Sequence, residues 1–233
     1  MEDFEKGKRD MVVRLTSIQT ISINTSYLRV KRLFDVAFVL FIAPLVLLIG
    51  VIVALLIRLD SKGPIFFRQK RVGQNGEEFE MLKFRSMYPD SSDQRHRESI
   101  AKYMAGEKVS ESTTVLSYKL VNDDRITRVG QIIRKLSLDE LPQFWNVLRG
   151  EMTLVGPRPP IPYEVEQYSS RDWLRLSGKP GLTGTWQIYG RSRVTFHEMV
   201  EMDIDYLQHP SFWVDLKLIA LTIPVMLLGR GGA

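Results

Sequence analysis

Two adjacent carboxylates, Asp139 and Glu140, are the residues of this sequence best suited to chemistry. A carboxylate at the N-terminus of a helix is kept ionised by the positive end of the helix dipole, and an ionised carboxylate can bind a divalent cation or attack phosphorus. Successive residues of a helix point about 100° apart, so we expect the two carboxylates to have different roles. A purely structural interpretation is also open, because Ser137 followed by Glu140 matches a capping box and Pro142 suits a first helical turn.

Several basic residues could bind phosphate near such a carboxylate. Lys83 and Arg85 are two residues apart in a predicted strand, so their side chains share one face. Arg158 lies in residues 156–162, an extended connector with four prolines in seven residues. A restricted backbone suits an arginine that binds phosphate through two nitrogens. A solvated surface turn explains the same prolines equally well, so none of these cations identifies a ligand by itself.

The composition limits the other kinds of site. The chain has 233 residues, of which 44% are apolar and 25% charged, as is typical of a folded protein. It has no cysteine, which excludes disulfides, thiolate nucleophiles and cysteine metal sites, and its three histidines do not cluster. The net charge of +5 favours an anionic partner, such as phospholipid, nucleic acid or a phosphorylated substrate. The sequence contains neither a Walker loop nor a G-x-G-x-x-G motif.

Residues 36–57 form an apolar segment of 22 residues without a charge, between Asp35 and Arg58. A helix of this length just crosses a hydrocarbon core of about 30 Å, but Pro44 and Gly50 interrupt its pattern. Basic residues flank the segment on both sides: Arg29, Lys31 and Arg32 before it, and Arg58, Lys62, Arg68, Lys70 and Arg71 after it. Since basic flanks prefer the cytoplasm, a helix that breaks at Pro44 and returns keeps both inside. The pattern alone leaves this re-entrant path and a tilted, kinked span equally open.

The residues that follow the apolar segment, from Arg58 onward, have the composition of a soluble protein with short helices and strands. We call this part of the chain the polar body. Residues 65–70 and 77–84 flank Asn75-Gly76 and predict a hairpin. Residues 127–136 and 141–148 have helical spacing, whereas residues 88–122 are polar and predict a variable, partly helical insertion. Residues 212–228 predict either an interfacial helix or a buried helix of the core.

Seven ordered motifs carry a resemblance that runs from about Lys31 to Leu228, nearly the whole chain. They are Lys-Arg-Leu-Phe-Asp at 31–35, Gly-Pro-Ile-Phe-Phe-Arg-Gln at 63–69, Lys-Phe-Arg-Ser-Met at 83–87, Leu-Ser-Leu-Asp-Glu-Leu-Pro-Gln at 136–143, Asn-Val-Leu-Arg-Gly-Glu-Met at 146–152, Leu-Val-Gly-Pro-Arg-Pro at 154–159 and Lys-Pro-Gly-Leu-Thr-Gly-Thr-Trp-Gln at 179–187. With these motifs the chain resembles the bacterial sugar transferase family, the monotopic phosphoglycosyl transferases.

The resemblance implies transfer of a sugar-1-phosphate from a UDP-sugar to polyprenyl (undecaprenyl) phosphate with release of UMP. This would be the first membrane step in assembling exopolysaccharide, capsule, O-antigen or a glycoprotein glycan. It implies that Asp139 is the nucleophile of a covalent phosphosugar intermediate and a ligand of Mg²⁺, and that Glu140 assists it. The substrate-binding residues it implies are Lys83, Arg85, Arg134, Arg158, Thr183 and Gln187.

The resemblance also implies the architecture: an α+β, helix-rich monotopic membrane protein with a Pro-broken re-entrant helix, a small β-hairpin and interfacial amphipathic helices. The expected parts are a cytoplasmic segment (1–30), the re-entrant helix (31–60), a cytoplasmic catalytic domain (61–211), and an interfacial helix with its tail (212–233). Lys31, Arg32, Asp35 and Pro44 belong to the membrane segment. We expect the inner, cytoplasmic membrane of a bacterium, with the active site on the cytoplasmic face.

The chain departs from the family pattern in small ways: Ala43 stands where Ser is frequent before the proline, Glu151 where Asp is common, and Pro160 follows the Pro-Arg-Pro run. With only about thirty residues before Lys31, the chain is expected to be a catalytic unit on its own. The expected partners are the UDP-sugar, polyprenyl phosphate and phospholipid, but not nucleic acid, and a homodimer is left open.

Two alternatives to this function remain open. One is a membrane-attached basic scaffold without catalysis, and the other is one-step transfer in which Asp139 is only a metal ligand. The sequence does not distinguish galactose, glucose and amino sugars as the sugar transferred.

Overall fold

Helices dominate the structure, a computed structural model that describes residues 21–89, 94–106, 123–190 and 193–227. Its helices are α1 (Thr25–Asp60), α2 (Gln94–Met104), α3 (Arg128–Lys135), α4 (Gln143–Arg149), α5 (Pro162–Val165), α6 (Phe196–Gln208) and α7 (Phe212–Leu227). Its strands are β1 (Phe66–Val72), β2 (Glu78–Phe84), β3 (Thr153–Val155) and β4 (Gly181–Thr183). The helix-rich composition and the small hairpin predicted from the sequence are confirmed.

The hairpin of β1 and β2 is antiparallel, with Phe66 opposite Phe84 and Val72 opposite Glu78. Its turn at residues 74–76 places Asn75 at φ 57° and Gly76 at φ 82°. Asn and Gly tolerate this left-handed conformation better than other residues. The local Asn-Gly signal therefore predicted the hairpin correctly.

The predicted helices of the polar body are present with small shifts in their ends. α3 begins after Thr127, whose side chain accepts a hydrogen bond from Gly130 N, and α4 covers the second predicted helix. α2 gives the region 88–122 its predicted helical part, whereas residues 90–93 and 107–122 lie outside the described residues.

A parallel pair of three-residue strands, β3 and β4, was not predicted. Gly156 N donates to Thr183 O, and Gly181 N donates to Pro157 O. A Cβ atom at Gly181 would collide with the backbone nitrogen of Gly156, so this close approach requires glycine. The pair fixes the start of the proline-rich loop that contains Arg158.

α1 packs against the polar body at two separate places along its length. Val39 belongs to a core cluster with residues of β2, α4, β3 and α7. Val53 and Ile57 belong to another cluster, with Phe84 of β2 and Ile133 of α3. The same body therefore contacts α1 on either side of its middle.

The apolar middle of α1 is largely exposed. Its exposed large apolar residues are Leu40, Phe41, Leu45, Leu47, Leu48, Val51, Ile52, Leu55 and Leu56. By length and composition α1 is the sort of helix that could cross a membrane. So large an apolar surface is typical of membrane contact.

α1 continues through Pro44 as one helix, and it begins at Thr25 rather than near residue 31. The predicted break at Pro44 is thus not an interruption of the helix. A proline removes its own helical N–H donor and can bend a helix without ending it.

The last helix, α7, is buried on one side and exposed on the other. Asp215 and Leu218 are buried against the body, while Trp213 is exposed. This arrangement contains elements of both sequence-based alternatives, because one face belongs to the core and the other presents an aromatic residue outward.

Candidate active site

The carboxylates of Asp139 and Glu140 both face the ammonium group of Lys83. Lys83 Nζ donates to Glu140 Oε1 at 3.0 Å and lies 3.9 Å from Asp139 Oδ2. β2 presents the lysine, and the carboxylates lie on a short 3₁₀ turn, Leu138–Glu140, between α3 and α4. The structure thus brings Lys83 to two predicted site residues that lie far from it in the chain.

The backbone around the two carboxylates differs from the capping box considered above. Ser137 has φ 55°, and its side chain makes no capping hydrogen bond among the described residues. The helix that follows, α4, begins only at Gln143 and has Pro142 at its N-cap position. The capping box proposed for Ser137 and Glu140 is therefore wrong. Asp139 does lie in the first turn of a helix, but this helix is the short 3₁₀ turn and not α4.

Burial controls the protonation of Asp139, which is only 8% exposed. Burial raises the pKa of the Asp139 carboxyl, and the charge of Glu140 raises it further. Lys83 and, to a smaller extent, Arg134 oppose this shift. The positive side chains around Asp139 therefore limit the rise in its pKa that burial causes.

Arg134 lies in the last turn of α3, immediately before the turn that carries Asp139. The position of α3 is fixed at its start, where Val129 N donates to Asp60 Oδ2 at 3.1 Å. Asp60 is the last residue of α1. The apolar helix and the predicted phosphate-binding arginine are thus connected through one short helix.

Arg158 lies in a loop without regular structure at residues 157–161, as the proline pattern predicted. Burial lowers the pKa of its guanidinium to about 10, and repulsion from Arg71 contributes. The side chain still carries its positive charge at neutral pH. A positive group of this kind in a half-buried setting is suited to binding an anion.

Arg71 is a buried residue of this region that was interpreted only as part of the basic flank of the membrane segment. Arg71 Nη1 donates to Pro159 O at 2.9 Å, and Nε and Nη2 both donate to Gln69 Oε1. Burial lowers the pKa of the Arg71 guanidinium, and the charges of Glu164 and, to a smaller extent, Glu140 oppose this shift. The two-residue spacing of Gln69 and Arg71, which places them on one face of β1, is the signal that could have revealed the pair.

Arg85 makes its described hydrogen bonds to residues just after the end of α1. Its Nη2 donates to Ser61 O at 2.7 Å, and its Nη1 donates to Lys62 O at 3.2 Å. These hydrogen bonds stabilise the main chain just after α1. Substrate binding, which was predicted for this residue, would be a different role.

Thr183 and Gln187 also lie in other contacts. Thr183 is buried and accepts a hydrogen bond from Thr222 Oγ1 of α7 at 2.8 Å. Gln187 Nε2 donates to Leu182 O at 3.4 Å. The hydrogen bonds described for these two residues connect β4 with its neighbours and do not lead to Asp139.

Lys31 of the predicted membrane segment binds the body through buried polar contacts. Lys31 Nζ lies 2.7 Å from Asp215 Oδ2, and Tyr206 donates to Asp215 Oδ1 at 2.6 Å. Tyr27 also donates to Asp215, at 2.8 Å. These contacts join α1, α6 and α7.

Arg32 and Asp35 make similar contacts within the next turn of α1. Arg32 donates to carbonyl oxygens at the C-terminal end of α4, where the helix dipole favours a cation. Asp35 accepts hydrogen bonds from the Thr153 hydroxyl and from Leu154 N of β3. Residues predicted to lie in the membrane segment therefore bind the body directly.

The metal-binding capacity of the site is limited to a pair of carboxylates. Among the residues that the structure describes, no group of three or more His, Cys, Asp and Glu side chains could hold a metal ion. Mg²⁺ is commonly held by one or two carboxylates together with substrate phosphate oxygens and water. Asp139 and Glu140 fit that smaller kind of site.

The chain is similar to several bacterial transferases. It is 45% identical over 207 residues to the galactosyl transferase CpsE of Streptococcus agalactiae, covering 88% of this chain and 44% of the relative. It is 42% identical over 203 residues to the UDP-galactose-lipid carrier transferase of Erwinia amylovora, covering 87% of this chain and 41% of the relative. It is 41% identical over 171 residues to the undecaprenyl-phosphate galactose phosphotransferase of Salmonella typhimurium, covering 73% and 35%.

The chain spans less than half the length of each of these three relatives. The family model described as bacterial sugar transferase matches residues 26–229, which include α1, the hairpin, the carboxylate pair and the proline-rich loop. The resemblance found in the sequence motifs is thereby confirmed, and the chain belongs to the bacterial sugar transferase family.

Proposed function

We propose that the protein transfers a sugar-1-phosphate from a UDP-sugar to undecaprenyl phosphate and releases UMP. The names of two relatives support this donor and acceptor, since one is a UDP-galactose-lipid carrier transferase and another an undecaprenyl-phosphate galactose phosphotransferase. UDP-galactose is therefore the first donor to test. The product would serve as the first membrane-bound intermediate of a surface polysaccharide.

The observation that carries the proposal is the position of Lys83 between the carboxylates of Asp139 and Glu140. A diphosphate repels an anionic nucleophile, so positive groups must neutralise part of the charge before Asp139 approaches phosphorus. Lys83 and Arg134 already act on Asp139 in the structure. A buried carboxylate with adjacent cations is suited to nucleophilic attack on a phosphorylated substrate.

The reaction would proceed in two displacement steps at phosphorus. In the first, an oxygen of ionised Asp139 forms a bond to the phosphorus that carries the sugar, and the bond to the bridging oxygen breaks, so UMP leaves with the electron pair. In the second, a phosphate oxygen of undecaprenyl phosphate attacks the same phosphorus and releases the Asp139 carboxylate. Dividing the reaction in this way lets a soluble donor and a lipid acceptor use one site in turn.

Glu140 differs from Asp139 in its surroundings and so in its proposed role. It is the more exposed of the two carboxylates and is the hydrogen-bonded partner of Lys83. We assign it to orienting Lys83 and assisting Asp139, in agreement with the expectation that the neighbours act differently.

Asp139, with Glu140 beside it, would hold Mg²⁺ in this proposal. When bound, the ion supplies additional neutralisation of the donor diphosphate. The protein's own contribution is to bury Asp139 and to place Lys83 and Arg134 near its carboxylate.

The proposal includes a re-entrant path of α1 in the inner membrane, with the body on the cytoplasmic face. Two observations support it. Val39 on one side of the exposed apolar middle, and Val53 and Ile57 on the other, pack into clusters of the same polar body. The second observation is that basic residues flank the apolar segment on both sides. A helix that crosses the bilayer would place one of these basic flanks outside the cytoplasm, whereas a helix that enters the membrane and returns keeps both flanks in the cytoplasm.

The test is UMP release by the purified protein with UDP-galactose and undecaprenyl phosphate in detergent. Asp139→Asn is expected to abolish release, and Asp205→Asn, an exposed change on α6, is the matched control. Incubation with UDP-galactose alone should add the mass of a hexose phosphate to the wild-type chain. The alternative of one-step transfer predicts turnover without that adduct, and the scaffold alternative predicts neither with any UDP-sugar.

A further inference from the structure

The loop that carries Arg158 is fixed by hydrogen bonds at consecutive main-chain carbonyl oxygens, those of residues 157–160. The donors, in loop order, are Gly181 N to Pro157 O at 2.8 Å, Arg175 Nη2 to Arg158 O at 3.3 Å, Arg71 Nη1 to Pro159 O at 2.9 Å and Val72 N to Pro160 O at 2.9 Å. A proline has no N–H of its own to donate, so this loop depends on such external donors. Its conformation is therefore set by the elements around it.

Arg71 is the side chain that connects this loop to the hairpin. It is 4% exposed, and its planar guanidinium is oriented by Gln69 Oε1, which accepts from Nε at 3.2 Å and from Nη2 at 2.7 Å. The remaining nitrogen, Nη1, is thereby directed at Pro159 O. A lysine could donate one of these bonds but could not reproduce the planar set.

Within the part of the chain that the structure describes, the charge of Arg71 is not neutralised by a hydrogen-bonded carboxylate. Each hydrogen bond described for Arg71 ends on a neutral oxygen, either of Gln69 or of Pro159. The charge of Glu164 and, to a smaller extent, that of Glu140 act on Arg71, and the charge of Arg71 acts on Arg158. Arg71 is thus coupled electrostatically to Arg158 and to one of the two site carboxylates.

We infer that Arg71 is a positioning residue, which holds the main chain at Pro159 so that the guanidinium of Arg158 meets the diphosphate of the nucleotide-sugar donor. This inference rests on the proposed function. It assigns Arg71 and Gln69 to the donor half-reaction and gives them no part in binding the lipid acceptor.

The experiment measures steady-state KM and kcat for UDP-galactose and for undecaprenyl phosphate in Arg71→Met, Arg71→Lys and Arg68→Met. Arg68 is an exposed arginine of the same strand and serves as the matched control. Displacing a substrate-binding group by about 1 Å costs up to about 100-fold in rate. We expect Arg71→Met to raise the KM for UDP-galactose at least about 10-fold, with a smaller rise for Arg71→Lys and an unchanged KM for undecaprenyl phosphate.

Gln69→Leu is the second variant, in case Arg71→Met does not fold. It leaves Arg71 in place but removes the oxygen that orients the guanidinium, so we expect the same selective rise in the KM for UDP-galactose, to a smaller extent. A double-mutant cycle completes the test. Arg71→Met and Arg158→Met should combine to less than the sum of their effects, whereas Arg68→Met and Arg158→Met should add.

Equal loss for donor and acceptor, or additive effects of Arg71 and Arg158, would overturn the positioning role. Binding of UDP by calorimetry separates this failure from failure of the proposed function. If the wild-type protein binds UDP and releases UMP while Arg71→Met behaves like Arg68→Met, only the inference about Arg71 is wrong. If the wild-type protein neither binds UDP nor releases UMP from any UDP-sugar, the proposed function itself is wrong.

Discussion

Lys31 and Asp215 form a buried ion pair with their charged atoms 2.7 Å apart, and the pair joins the first described helix to the last. The two side chains are 10% and 2% exposed. Tyr27 and Tyr206 donate to the same carboxylate, so Asp215 has a nearly complete set of partners. Such a pair ties α1 to the polar body at the point where the apolar segment begins.

Removing one member of this pair should destabilise the protein strongly. Lys31→Met leaves Asp215 as a buried charge without its cation, which typically costs about 3–5 kcal/mol. For a domain of this size that lowers the melting temperature by roughly 6 °C or more. Lys70→Met is the control, because the Lys70–Glu78 pair is exposed and contributes at most about 1 kcal/mol. Melting curves in detergent that coincide for the two variants would contradict a stabilising role of the buried pair.

Loss of Lys83 should move the pH dependence of catalysis. Burial raises the pKa of Asp139 and Lys83 lowers it, so Lys83→Met raises it further. Because attack requires ionised Asp139, the acidic limb of kcat/KM for UMP release should move to higher pH, and activity at neutral pH should fall. Lys70→Met on the opposite strand provides the comparison. An acidic limb at the wild-type position in Lys83→Met would show that Lys83 does not control the nucleophile.

The Asp203–Arg175 pair should make stability depend on pH between about 4 and about 6. Burial raises the pKa of Asp203 to about 6, although Arg175 at 2.6 Å opposes the shift. The folded state therefore binds the proton more tightly than the unfolded state, and the stability that Asp203 contributes is lost as pH rises through this range.

The measurement for this pair is the free energy of unfolding of the wild-type protein and of Asp203→Asn at several pH values. The difference between them should change by about 2 kcal/mol from pH 4 to pH 6, because one pKa unit corresponds to about 1.4 kcal/mol and the titration is incomplete at both ends of this range. Asp205→Asn, on the exposed side of the same helix, controls for the loss of one carboxylate. Parallel pH curves for wild type and Asp203→Asn would refute the prediction.

Withdrawal of divalent cations should stop the reaction reversibly. Asp139 and Glu140 offer a Mg²⁺ ion two carboxylates, which leaves most of its coordination to substrate oxygens and water. EDTA is therefore expected to reduce UMP release to background and excess MgCl₂ to restore it, while melting curves without substrate stay the same. Turnover that persists in EDTA would remove the metal from the proposal.

The sequence predicted those features that depend on neighbouring residues. Asn75-Gly76 marked the hairpin because the turn requires left-handed backbone, and the periodicity of residues 127–136 marked α3. The pair β3 and β4 was missed because a three-residue buried strand has no alternation to detect. Ser137 suggested a cap by its type, but its left-handed backbone excludes that geometry.

The carboxylates of the candidate site could be predicted from the sequence, whereas the roles of its arginines could not. Family motifs brought Lys83 and Asp139 into one hypothesis although 56 positions separate them, and the structure brings them together. Arg71 and Arg85 appeared as two similar cations in the sequence. Only the fold shows that the guanidinium of Arg71 supports the proline-rich loop while that of Arg85 satisfies carbonyl oxygens beyond α1.

The packing of α1 has a consequence for truncating the chain to obtain a water-soluble protein. Val39, Val53 and Ile57 complete core clusters that also contain Met81 and Phe84 of the hairpin. Trimming the chain to start after Asp60 would open those interiors and expose the strand that presents Lys83. Removal of this apolar helix is therefore expected to unfold the protein rather than to yield a water-soluble form, since one part of α1 belongs to the interior and another part is exposed.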